Sequence, residues 1–214
     1  MSHAQWFLLA CLALFAAAAL RILRQVASVR RPGNLDAPRG SSGKGVAYSL
    51  TGAMLPWKKE SARLHAAVYI LGVAYHGGTF LGFLWLVVLF FRAGLPPVAA
   101  SASVALLVLT ALAGLVLLAR RISKANLRYF SSPDDYFSNI LVTGFQALTA
   151  AVLAEAAPTG ALFVYAGVLL VYIPFGKLRH ALYFGLARYY LGLFYGRRGV
   201  WSDESSRTWR SQRP

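Results

Sequence analysis

The sequence predicts an all-α integral membrane protein, a bundle of five transmembrane helices with its N-terminus outside and its C-terminus in the cytoplasm. Three observations carry that prediction. The chain is 57% hydrophobic over 214 residues and has a mean hydropathy of +0.54, far more apolar than a soluble domain of ordinary surface charge needs. Its apolar residues fall into five runs, at about 6–23, 63–91, 98–119, 136–154 and 160–184, each long enough to cross a hydrocarbon core of roughly 30 Å as one helix. Its basic residues fall in the gaps. Nine lie between Arg21 and Arg63, four between Arg120 and Arg128, and eight from Lys177 onward, leaving Arg92 alone on the other side. By the positive-inside rule this distribution orients the bundle.

The 22 basic against 7 acidic residues do not mark a nucleic-acid binder, because they are not gathered in a soluble module with a recognisable motif. The single Cys11 excludes an intrachain disulfide, a CxxC metal site and a heme attached covalently through CxxCH. Any cofactor must be held by other ligands.

The first run has no Lys or Arg before it, while Arg21 and Arg24 follow it. A signal peptide has the opposite order, so the run is read as a retained span. Residues 25–60 read as a Pro/Gly/Ser-rich basic loop with a flexible centre at 38–45. Met54–Glu60 approaches the interface, with Trp57 beside Lys58 and Lys59 as a headgroup-level anchor.

The second run, Ser61 to Phe91, organises the rest. It carries His65 near its start and His76 near its middle, and eleven residues at ~100° each bring both imidazoles to within roughly 20° of one face, about 16 Å apart in depth. Ionisable groups at membrane depth are costly and mark function, although a buried histidine bonding a neighbouring helix is the plainer alternative. The third run has no ionisable group and reads as a packing helix. In the fourth, Ser132 caps, Pro133 takes the first position, and Asp134 and Asp135 meet the positive end of the dipole. The fifth holds Pro174 a turn and a half before His180, with Lys177 and Arg179 close by, and the proline is expected to kink the helix. The bundle occupies 1–195 and a cytoplasmic tail 196–214. No internal repeat is present.

Histidines on facing antiparallel helices can clamp a b-type heme, each giving one axial nitrogen while apolar walls bury the porphyrin. Lys177, Arg179 and Arg63 are candidates to neutralise its propionates, or simply members of the positive-inside belt. On these residues the chain resembles the cytochrome b gamma subunit of respiratory nitrate reductase and its relatives in heterodisulfide-reductase-like and sulfite-reduction-associated membrane complexes. The points of resemblance are five spans, His-x-Gly at His76–Gly78 and Pro-Phe-x-basic-Leu-x-His at Pro174–His180. In the gamma subunit each of these two helices carries two ligands for two stacked hemes. The second set would fall at Leu86 and Leu162 here, so the resemblance implies one heme b. His76 and His180 are then its iron ligands, with the motif favouring His76 and depth favouring His65 as the partner of His180. The leftover histidine could touch a quinone, bond a propionate or ligate a second heme, while His3 lies in the outer tail.

The resemblance further implies an electron-transfer subunit of a hetero-oligomeric oxidoreductase in a prokaryotic inner membrane. It would work between the quinone pool and a cytoplasmic iron–sulfur partner docked near the basic tail, where Trp201 and Trp209 stand among arginines. A redox-inactive membrane anchor or small transporter is the competing class. A transporter would more often place acids in mid-membrane, and Glu155 at a span end is the nearest approach to one.

Overall fold

A computed structural model of the chain describes residues 1–28, 37–58, 62, 64–94 and 96–201. Among them every regular element is helical: α1 His3–Ser28, α2 Ser42–Leu50, α3 Ala66–Phe90, α4 Pro97–Ser123, α5 Ala125–Tyr129, α6 Pro133–Leu153, α7 Thr159–Tyr172 and α8 His180–Arg197, with short 3-10 turns at Gly52–Met54, Pro56–Lys58 and Lys177–Arg179. Helices α1, α3, α4 and α6 are long and apolar enough to cross a membrane, and Thr159–Tyr172 with Lys177–Arg197 adds a fifth if that pair is one broken span. The chain divides into two units, Met1–Ile22 with Ala67–Arg179, and Leu23–Ala66 with His180–Pro214.

In the first unit the boundaries follow local chemistry. Helix α4 opens with Pro97 in its first turn and closes on Arg120 and Arg121, which meet the negative end of its dipole. Helix α6 opens after Ser132, whose backbone N–H donates to the Asp135 carboxylate at 2.9 Å, one half of a capping box. Two residues beyond the ends of α3 and α6 stands a charged residue with left-handed backbone, Arg92 at φ 53° and Glu155 at φ 58°. The Ala93 and Ala156 N–H groups then reach back five residues to Val88 and Ala151, the bonding of a Schellman cap.

The core of this unit is Phe145, Leu162, Ala166 and Leu169 with Leu86, Leu141, Val142 and Phe163 around them. Helices approach closely where side chains are missing. A Cβ at Gly78 would fall within 1.9 Å of Thr110 Oγ1, and one at Gly114 within 2.4 Å of the Tyr75 ring. Lipid is as apolar as leucine, so such close packing and interhelical hydrogen bonds must supply the specificity. A polar network does so between α3, α4 and α6. The Tyr75 hydroxyl bonds the Asn139 carbonyl at 2.9 Å and Thr143 Oγ1 at 3.0 Å, Asn139 Nδ2 donates to the Gly114 carbonyl at 3.2 Å, and Gln146 Nε2 donates at 2.9 Å to both the Tyr75 carbonyl and Thr79 Oγ1.

In the second unit α2 takes up residues 42–45 of the expected flexible centre at 38–45. Ser41 Oγ caps it by accepting from the Lys44 N–H at 3.4 Å, and its partner is α8. Gly192 and Gly196 stand one turn apart on α8, and a Cβ at Gly45 would lie 2.3 Å from the Gly192 carbonyl oxygen and 2.4 Å from Gly196 Cα. The two backbones are therefore in direct contact, the small-xxx-small geometry of close helix pairs. The end is sealed by the Arg39 and Gly40 N–H groups, which both donate to the Arg197 carbonyl at 2.9 and 3.0 Å. Beyond Gly199, whose φ of 72° suits glycine, the Trp201 ring packs 4.7 Å from Tyr195 and 5.8 Å from Tyr48 between centroids. The expected tail at 196–214 thus begins as the end of this helix pair, and Trp209 lies outside the described residues.

Candidate functional site

Helix α3 presents two consecutive side chains to different surroundings, because neighbours on a helix diverge by ~100°. Tyr75 turns into the polar network, while His76 is exposed, its ring edge-on to Tyr75 with centroids 6.3 Å apart. His76 Nδ1 lies 2.7 Å from the Gly72 carbonyl oxygen of its own helix. A carbonyl only accepts, so Nδ1 carries the proton, and in the neutral ring the lone pair belongs to Nε2.

The surface beside this imidazole is notched and apolar. A Cβ built at Gly72 or at Gly77 meets nothing within 4 Å, and Val73, Phe80 and Leu84 are exposed on the same helix. The two glycines of His76–Gly78 therefore do different things: Gly77 leaves open space next to the imidazole, whereas Gly78 lets α4 and α6 pack. Leu86 and Leu162, where the resemblance would put a second ligand set, are both buried in the hydrophobic core.

The fifth run does not kink at Pro174; it stops. Helix α7 ends at Tyr172, the Phe175 and Gly176 N–H groups turn back to the Tyr172 carbonyl at 3.1 and 3.0 Å, and α-helix resumes at His180 after the 3-10 turn Lys177–Arg179. Proline has no N–H for the ladder and its ring crowds the preceding turn. The turn is held in place by the first turn of α6. The Lys177 N–H donates to Asp134 Oδ2 at 2.8 Å, Lys177 Nζ to Asp135 Oδ2 at 2.6 Å, and Arg121 pairs with Asp135 Oδ1 at 3.1 Å. The Tyr172 hydroxyl also bonds Asp134, and Ser138 Oγ at 2.8 Å.

Sequence reasoning read Asp134 and Asp135 as partners of a helix dipole only. They also clamp the turn that leads to His180, a role for which the only sequence signal was an acidic pair and a basic turn, far apart in the chain. The clamp occupies Lys177, which takes that charge from the expected set of propionate partners. Arg179 is exposed, and Arg63 lies outside the described residues.

His180 is the exposed first residue of α8. His65 is exposed at a turn just before α3 begins at Ala66, so the helical repeat that would align it with His76 does not reach it. His76 lies in the first unit, His65 and His180 in the second. His3 opens α1 and is exposed. No protein-family model, curated protein or solved structure matches the chain.

Proposed function

We propose that this chain is the membrane cytochrome b subunit of a respiratory redox complex in a prokaryotic inner membrane. It would pass electrons between the quinone pool and a cytoplasmic iron–sulfur partner. The observation that carries the reading is His76, whose Nδ1–H is tied to the Gly72 carbonyl at 2.7 Å, on an apolar face notched at Gly72 and Gly77. Metal-ligating histidines commonly donate the other ring N–H to a carbonyl or carboxylate, which fixes the tautomer and raises the basicity of the ligating nitrogen. In this reading His76 and His180 would hold one heme b, with His65 as the alternative partner of His180. When bound, the heme supplies the one-electron couple.

The protein's own residues do the rest. The Gly72 carbonyl holds the His76 tautomer, the two notches would admit a flat macrocycle, the exposed Val73 and Phe80 would exclude water from it, and the Asp134–Asp135 clamp fixes the turn before His180. Arg179 remains to face a propionate. In this reading the N-terminus is outside, the C-terminus is cytoplasmic, and α7 with its proline turn completes a fifth span. At 14 residues α7 alone covers about 21 Å, and the turn that follows brings Lys177 to Asp134 and Asp135 at the start of α6.

The deciding experiment is an absorption spectrum of the full chain purified after expression with heme supply. A Soret band with low-spin b-type α and β bands, at one heme per chain by pyridine hemochrome, is expected. A chain that is folded but has no Soret band after reconstitution is a redox-inactive anchor or transporter, not a cytochrome.

A further inference from the structure

At the end of the first unit away from the Asp135 clamp, two concavities meet. One is a cleft of about 390 Å³ lined by Ser2, Gln5, Leu89, Arg92, Thr159 and Phe163. The other is an open groove of about 560 Å³ with walls that include Leu141, Leu148, Val164, Tyr165 and Val168. Gly160 lines both. The cleft brings together a cation, hydroxyls and an amide, whereas the groove is apolar apart from the Tyr165 ring.

The polar cleft is a built feature. Gln5 is buried at 5% exposure; its Nε2 donates to the Phe90 carbonyl at 3.2 Å and its Oε1 accepts the Ser2 N–H at 2.7 Å. One side chain thereby ties the start of α1 to the end of α3. The next turn puts Arg92 at φ 53°, a backbone region where glycine is the usual resident of a Schellman cap. The strain places a guanidinium at the cleft. Among the described residues that guanidinium has no carboxylate partner: the ion pairs join Asp135 to Arg121 and Lys177. Glu155, the acid at this end, forms none with it.

We propose that this composite site binds one anionic phospholipid, its phosphate on Arg92 and Thr159 and an acyl chain along the groove past Gly160 to Val164 and Val168. A guanidinium offers two parallel donors to phosphate oxygens, and the adjoining groove distinguishes an amphiphile from a free anion. The site does not depend on the heme.

The test is native mass spectrometry of the full chain in mild detergent, titrated separately with dioleoyl phosphatidylglycerol, dioleoyl phosphatidylcholine and inorganic phosphate. One saturable phosphatidylglycerol adduct is expected, bound about tenfold more tightly than phosphatidylcholine. Arg92→Gln should weaken it about tenfold, and Gly160→Leu should do so by blocking the groove, while Arg92→Lys, which keeps the charge but not the paired donors, should fall between wild type and Arg92→Gln. Thr159→Val, which preserves the shape of the cleft, should weaken it several-fold and guards against misfolding of the arginine variant. Equal binding of the two lipids, an unchanged Arg92→Gln, or displacement of the lipid by inorganic phosphate at comparable concentration would overturn the proposal. So would preferential displacement by an uncharged quinone.

Discussion

The Asp135 carboxylate and the Lys177 ammonium meet at 2.6 Å across 42 positions of sequence, while Arg121 holds the other carboxylate oxygen at 3.1 Å. Asp135 has 8% of its side chain exposed and Lys177 50%, so the carboxylate is the member that cannot fall back on water. Asp135→Asn should therefore destabilise the first unit more than Lys177→Met does. A loss on the order of 1–3 kcal/mol is expected for the former and under about 1 kcal/mol for the latter. Unfolding in detergent followed by circular dichroism measures both, and a loss under about 1 kcal/mol for each would show that the clamp is an exposed pair of little consequence.

The two adjacent glycines of α3 should behave oppositely. Gly78→Ala drives a methyl into Thr110 and should cost about 1–3 kcal/mol by overpacking. Gly77→Ala meets open space and should be neutral or stabilising by up to about 1 kcal/mol through helix propensity. Gly77→Leu, equally tolerated for stability, should lower heme occupancy if the notch receives the macrocycle, and retained full occupancy would count against that placement.

Histidine substitutions separate the two pairings. His180→Ala should abolish the b-type spectrum, because Leu162 cannot supply an axial nitrogen and is buried in the core. His76→Ala should do the same, and His65→Ala should leave the spectrum nearly intact. A spectrum lost with His65→Ala and kept with His76→Ala would transfer the ligand role to the turn before α3.

Pairing of α2 with α8 rests on backbone contact, and any Cβ at Gly192 falls 2.5 Å from Val46 Cα. Gly192→Leu should release α2 and speed tryptic cleavage after Arg39 and Lys44 by an order of magnitude, since local opening governs proteolysis. The same variant should leave the first unit's thermal transition in place. Cleavage at the wild-type rate would mean that the α2–α8 contact is not what protects those sites.

Within the polar network, Tyr75→Phe removes the hydroxyl that bonds the Asn139 carbonyl and Thr143. Interhelical bonds of this kind contribute about 0.6 kcal/mol and at most about 1.7 kcal/mol in membrane bundles. The expected loss is in that range, and a larger one would show that the Asn139 carbonyl or the Thr143 hydroxyl is left buried without a partner.

What the sequence determined by itself is what solvent and periodicity dictate locally. Long uncharged runs become helices because a backbone away from water must satisfy its own hydrogen bonds, and four such helices stand where the apolar runs predict them. Ser132, Pro133 and the acids of α6 set its start for reasons confined to one turn. Residues 42–50 defeated the same reasoning, since nothing in a short Gly/Ser-rich stretch shows that α8 offers it Gly192 and Gly196; the small-xxx-small spacing in α8 was the available signal. The tertiary structure alone decided that Pro174 ends α7 instead of bending it, because the Lys177 backbone and side chain find Asp134 and Asp135 on another helix. It also gave Gly77 and Gly78 their separate uses, since whether a missing side chain leaves open space or admits a neighbouring helix depends on which residues that neighbour brings.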